Sequence, residues 1–228
     1  HRSSPSIGVT LFGEKVESIE EPLKRADLAM YQAKAAGRNT ARFYDPKMQV
    51  KVNERAELEE NLRDAMMMDH FELYYQAQMS NENKLIGAEV LIRWNHPSKG
   101  IISPLSFIPI AEEMGLISIL GYWVLDTACR QLVEWESQAH LNNISISVNV
   151  SPSQFNHFSF VDQVFDILEF TGANPRLLKL ELTEGFSITD IEDIIQKMTR
   201  LKERGIGLSL DDFGTGYSSL SYLKRLPL

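Results

Sequence analysis

From about residue 70 the chain alternates short runs with strand patterning and longer runs with helical periodicity. "FELYYQAQM" and "KLIGAEVLI" read as two strands, and the polar "SNEN" between them as a hairpin turn. "SPLSFIPIAEEMG" and "ISILGYWVLDTACRQLVEWE" place apolar residues three and four apart and predict helices. "ISISVNV" is a β-branched strand. "SPSQF" opens the next helix: Ser151 caps, Pro152 takes the first turn and Gln154 completes a capping box. "LLKLEL" predicts a strand. "TDIEDIIQKMTRLKERG" predicts a helix, with Thr189 and Glu192 at box spacing and Gly205 as its stop. "IGLSLD" predicts another strand, and "SSLSYLKRL" begins another helix.

The leading residues follow a shorter version of the same pattern. "SIGVTLF" predicts a strand. "SIEEPLKRADLAMYQAKAAGRN" predicts a helix, with Ser18 and Glu21 at capping-box spacing. Its apolar stripe is Ile19, Leu23, Ala26, Met30 and Ala33, and Gly37 suits a left-handed stop. "ARFYD" predicts a short strand. Residues 1–46 are thus a strand, helix and strand, too little to hold a core. Residues 47–69 read as a charged connecting helix, with Met66, Met67 and Met68 as packing filler. A second domain spans 70–228.

Composition narrows the function classes. The net charge of -8 over 228 residues argues against sequence-blind binding to polymeric nucleic acid. The single cysteine, Cys129, cannot form an internal disulfide and fits a reducing compartment. It reads as a small buried helix residue rather than a nucleophile. No apolar run approaches the roughly 18 residues of a membrane span, and no signal peptide is visible. The chain begins at His1 and stops after "KRLPL", so it reads as a piece of a longer protein. The expected cytoplasmic location applies to this piece.

Repeated strand–helix units imply a mostly parallel sheet wrapped by helices. Strand ends recur about 30 residues apart, as in a β/α barrel. An open doubly wound sheet would carry a glycine-rich phosphate turn after an early strand, and none is present. The predicted strands end in oxygen-bearing side chains: Glu89, Asn149, Glu181, then Asp211 with Asp212. A barrel brings such ends to one face. This all-oxygen set, without His or Cys, suits Mg²⁺, Mn²⁺ or Ca²⁺. Cations would relieve the repulsion between Asp211 and Asp212. Two ions about 3.5–4 Å apart would also activate water for attack on a phosphodiester. Gly214 and Gly216 would let the backbone approach closely. "DDFGTG" also admits a plain reading as a polar turn. The Asp-Phe-Gly of protein kinases is discarded, because no glycine-rich loop, strand lysine or His-Arg-Asp precedes it.

"GAEVLIRWNHPSKGIISPLSFIPIAEEMGLI", "SVNVSPSQF", "LKLELTE" and "LSLDDFGTGYSSLSYLKRLP" closely resemble the EAL-domain cyclic di-GMP phosphodiesterases, over roughly residues 50–228. "ADLAMYQAKAAGRN" resembles the C-terminal end of GGDEF diguanylate cyclase domains, so the chain resembles a cut from a tandem GGDEF–EAL protein. The fold this implies is α/β: a modified β/α (TIM-like) barrel, incomplete at its C-terminus, preceded by a short strand–helix–strand piece of a GGDEF α+β domain. The implied activity is hydrolysis of cyclic di-GMP to linear pGpG with Mg²⁺ or Mn²⁺, two ions in the complete domain. The resemblance implies metal-holding roles for Glu89, Asn149, Glu181 and Asp211, and a second-metal role for Asp212. Glu184 would steady the loop after Asp212. Gln76, Leu91 and Arg93 would contact the dinucleotide, Arg93 as a charged donor to phosphate. EAL domains commonly dimerise, which makes a homodimer an option here.

Several positions depart from the family pattern. Val90 stands for alanine in the Glu-Ala-Leu signature, and strand alternation points it away from Glu89, toward the helix layer. Ala77 replaces a usual proline, and Gly185 a commonly polar residue. The family's catalytic lysine would follow Leu228, so this piece alone is expected to be inactive even if its parent is an enzyme. Lys34 and Arg38 match phosphate-binding positions of the GGDEF family, but in isolation they read first as a basic helix end that complements its dipole. The alternative function is a receptor that binds cyclic di-GMP without cutting it.

Overall fold

In a computed structural model, residues 4–13, 18, 20–183, 191–211 and 225–228 are described. The chain divides into two units, residues 1–61 and 62–228.

In the first unit, β1 (Ile7–Val9) and β2 (Ala41–Phe43) pair in parallel and are joined by α1 (Glu20–Ala35). Gly8 is required by close approach: a Cβ there would lie 1.9 Å from the carbonyl oxygen of Ala26. Gly37, at φ 99°, ends α1 in the left-handed conformation. Ser18 does cap the helix, but its Oγ accepts from the Glu20 N–H at 3.1 Å. The buried stripe is also narrower than its pattern suggests. Ala29 and Ala33 are buried, whereas Leu23 is 62% exposed. The next helix, α2 (Pro46–Met67), begins where Asp45 Oδ1 accepts from the Lys47 N–H at 2.9 Å.

The second unit is a six-stranded mixed sheet with helices. Its strands are β3 (Phe71–Met79), β4 (Leu85–His96), β5 (Gly100–Ile102), β6 (Ser145–Val150), β7 (Leu178–Thr183) and β8 (Gly207–Asp211). They run in the order β3-β4-β6-β7-β8, with β5 also on β4. β3 is antiparallel to β4, joined by the expected hairpin, whereas β4, β6, β7 and β8 are mutually parallel. β5 is too short to show in a hydrophobic pattern and follows β4 antiparallel across the "PSK" turn.

Side-chain alternation gives this sheet two unlike faces. One carries Leu73, Val90, Ile146, Val148, Val150, Leu178, Leu180, Leu182 and Leu208, all buried in one apolar cluster. α4 (Ile117–Glu136), α6 (Phe160–Thr171) and α7 (Ile191–Glu203) supply most of the rest of that cluster, including Leu125, Leu132, Val164, Ile167 and Met198. α3 (Pro104–Glu113) adds Phe107, which packs on Phe71 and Trp94 at centroid distances of 5.5 and 5.7 Å. Val90 sits in the main cluster at 4% exposure, as its strand position requires. Cys129 is fully buried there too. Among the described residues no helix is long and apolar enough to cross a membrane.

The capping box after β6 forms as the sequence indicates. Ser151 Oγ accepts from the Gln154 N–H at 3.3 Å, and Gln154 Oε1 accepts from the Ser151 N–H at 3.0 Å. It opens a short helix, α5 (Pro152–Asn156), rather than one long helix, because His157 turns extended at ψ 134°. Lys197 of α7 takes over the carbonyls left there. Its buried Nζ donates to Phe155 O at 3.1 Å and Asn156 O at 3.0 Å, and pairs with Asp193 at 2.8 Å.

Gly121 of α4 lies against this box: a Cβ there would fall 1.5 Å from Gln154 Nε2. Gly121→Ala is expected to displace the Gln154 side chain, and Gln154→Ala to remove half the box. Each should cost about 1–2 kcal/mol in urea unfolding. The double variant should lose clearly less than the sum, because the two changes destroy the same contact. Additive losses would contradict the coupling.

Candidate functional site

The sheet's second face is built from polar residues. In-register pairs share a face, so neighbours can be followed from strand to strand. Gln76 pairs with Glu89, Glu89 with Ser147, Asn149 with Glu181, Glu181 with Ser209, and Thr183 with Asp211. Residues two apart on one strand also share a face. Gln76, Glu89, Leu91, Arg93, Asn149, Glu181 and Asp211 therefore all belong to the side opposite the apolar core. The donors climb along the sheet: Asn149 lies two residues beyond the partner of Glu89, and Asp211 two beyond the partner of Glu181.

Burial grades in the same way. Glu181 is 8% exposed, Glu89 is half-buried, and Asn149 and Asp211 are exposed at the strand ends. Asn149 Nδ2 donates to Glu89 Oε1 at 2.8 Å, across two strands and 60 residues of chain. Lys179 Nζ lies 3.1 Å from Glu181 Oε1. Arg93 is held by a bond to Ile92 O at 2.9 Å, and its guanidinium lies 5.4 Å from the Tyr74 ring centroid. Gln76 is exposed beside Glu89, and Leu91 is half-buried.

By residue type the set is one a hard divalent cation prefers, carboxylates and an amide oxygen from adjacent strands, although the nearly buried carboxylate of Glu181 is already paired with an ammonium. Among the described residues no three His, Cys, Asp or Glu side chains already stand together as a metal cluster. Glu89 has an amide for its neighbour. Asp212 and Glu184, together with Gly185, Gly214, Gly216, Thr189 and residues 218–224 of the helix expected at "SSLSYLKRL", lie outside the described residues.

Next to the strand ends is a cavity of about 310 Å³. Val90, Leu91, Ile92, Asn149 and Val150 line it from the sheet, and Pro104, Ile108 and Leu120 from the helices. It is largely apolar, with polar atoms at the sheet's edge.

A sequence profile of the EAL domain matches residues 59–228. The chain belongs to the EAL domain family. It is 42% identical over 224 residues to the cyclic di-GMP phosphodiesterase NbdA of Pseudomonas aeruginosa, covering 98% of this chain and 28% of that protein. It is 42% identical over 227 residues to the bifunctional diguanylate cyclase/cyclic di-GMP phosphodiesterase MucR of the same organism, covering 99% of this chain and 33% of that protein. The chain thus spans about a third or less of the length of these relatives. Among solved structures, the PaMucR phosphodiesterase in complex with c-di-GMP superimposes with a TM-score of 0.71 at 43% identity, covering 75% of this chain and 69% of that one.

Two site residues of this EAL chain were missed by the sequence reading: Lys179 and Ser147. Ser147 is fully buried, pairs in register with both Glu89 and Lys179, and its Oγ has no hydrogen-bond partner among the described residues. The signal was present in the alternation of "LLKLEL", which puts Lys179 on the face of Glu181.

Cys129 lies in the opposite layer. Burial, helped by the nearby Asp126 charge, pushes its thiol from 9.0 up to about 12. Tyr75, packed on Trp135 on the apolar side, is pushed from 10.0 up to about 12, by burial first and Glu134 second. Below pH 9 both the folded and unfolded chains hold these protons. Between pH 9 and 12 the unfolded chain releases protons that the folded chain keeps, so stability falls across that window. Cys129 is expected to resist a thiol reagent at pH 8 and to react fully in denaturant. Rapid labelling of the native protein would contradict this placement.

Proposed function

We propose that this chain is part of a metal-dependent phosphodiesterase that hydrolyses cyclic di-GMP to linear pGpG. The observation that carries the reading is the Glu89–Asn149 contact at 2.8 Å, with Glu181 and Asp211 following on the same face of a family-matched sheet. The names of NbdA and MucR support the reaction, and the PaMucR complex supports the ligand.

Glu89, Asn149, Glu181 and Asp211 would hold Mg²⁺ or Mn²⁺, with Asp212 toward a second ion. When bound, such ions polarise a phosphodiester and lower the pKa of a water. The chain's own residues do the rest. Asn149 keeps Glu89 facing the donor set. Arg93, braced against Tyr74, offers charged N–H groups to a phosphate. Gln76 and Leu91 flank the same face, and Glu184 would steady the segment after Asp212. Val90 lies in the helix-layer core, so the altered signature leaves the Glu89 carboxylate on its own side.

The sheet would form part of a modified β/α barrel. The first unit, with its parallel β1–α1–β2 arrangement, would be the end of a GGDEF domain. A cytoplasmic setting and a homodimer through the EAL domain complete the proposal.

The test is to incubate the full-length protein with cyclic di-GMP and Mn²⁺ and look for pGpG. Glu181→Gln and Asn149→Ala are each expected to lower kcat about 100-fold or more, with the fold preserved by circular dichroism. Chelation should abolish turnover, and added Mn²⁺ should restore it. Tight binding with no product would instead establish a non-hydrolysing receptor.

A further inference from the structure

Glu181 has a carboxylate that is nearly buried, and a buried charge is costly unless it is compensated. The compensating group comes from its own strand. Lys179 stands two residues earlier on the same face, with Nζ 3.1 Å from Glu181 Oε1. Its side chain is 38% exposed against 11% for Glu181, so the ammonium can leave while the carboxylate stays. One strand over, Ser147 is paired in register with Lys179 and carries a fully buried hydroxyl with no partner among the described residues. A polar atom so placed is an open hydrogen-bonding group on the strand beside Lys179.

We propose that Lys179 is the resident counter-cation of this acidic face, a positioning residue that sets how tightly the site takes a divalent ion. The proposal rests on the metal-dependent reading above. Without metal, the ammonium neutralises Glu181 and fixes its orientation. A divalent ion placed against Glu181 competes for the same oxygen, and Lys179 must withdraw, with Ser147 Oγ as its new acceptor. The lysine thus weakens metal binding twice: its pairing with Glu181 must be broken, and its charge then remains near the ion. In exchange, the empty site stays folded with no buried carboxylate left uncompensated.

The test uses the full-length protein, titrated with Mn²⁺ while the free ion is followed by electron paramagnetic resonance. Lys179→Met is expected to bind Mn²⁺ at least about fivefold more tightly than the wild type. Its melting temperature should fall without metal and recover to near the wild-type value in saturating Mn²⁺. Lys179→Arg, which keeps the charge, should stay within about twofold of wild type in affinity. Unchanged or weaker Mn²⁺ binding by Lys179→Met overturns the inference while leaving the phosphodiesterase reading in place. A wild-type protein that binds no Mn²⁺ overturns both.

Discussion

The in-register pairing of β4, β6, β7 and β8 is the constraint on which the rest of this EAL unit depends. Because strand side chains alternate, each paired position commits both residues to the same face. A slip of one residue in β7 would exchange Glu181 for Leu180 or Leu182. It would push a carboxylate into the apolar layer and leucines onto the polar face. The buried leucines and valines therefore do more than stabilise the sheet. By making every other register expensive, they place the oxygen donors.

The sheet departs from the usual composition of parallel strands, which are apolar on both faces. Here one face is packed by α4, α6 and α7, and the other carries Glu, Asn, Ser, Lys, Arg and Asp. Water alone does not explain that choice, since Glu181 is nearly as buried as the core. A carboxylate at that depth needs a cation, and Lys179 provides one in the structure. The depth of that carboxylate therefore depends on one lysine from the same strand.

Much of this was legible in the sequence, for reasons that differ by residue. β6, β7 and β8 were readable because β-branched and leucine runs end at oxygen-bearing residues and are punctuated by caps. Ser151 and Gln154 formed the box that their spacing implied, since both bonds are local. Leu23 was misassigned because helical period shows that a stripe exists, not what covers it. β5 was missed because three residues carry no period. The break at His157 was missed because the partner of the last α5 carbonyls, Lys197, comes from about 40 residues away. The Asn149–Glu89 contact could be anticipated only in kind: the strands said both would be on one face, but the 2.8 Å distance depends on the stagger between β4 and β6.

That stagger also explains why the helices behind the sheet matter to the face in front of it. Asn149 sits one residue from Val150, which is buried in the core, and two from Ser151, which starts the capping box. The box is pressed against Gly121 of α4, and the end of α5 is tied to α7 by Lys197. The residue that holds Glu89 is therefore anchored through one short helix to two long ones. A substitution at Gly121 or Lys197 touches no oxygen donor, yet it can move Asn149, whose amide must stay within a hydrogen bond of a carboxylate on another strand. Strand-end donors need this support because an end, unlike a strand centre, is held by the ladder on one side only. In this chain the α4–α5–α7 contacts supply the other side.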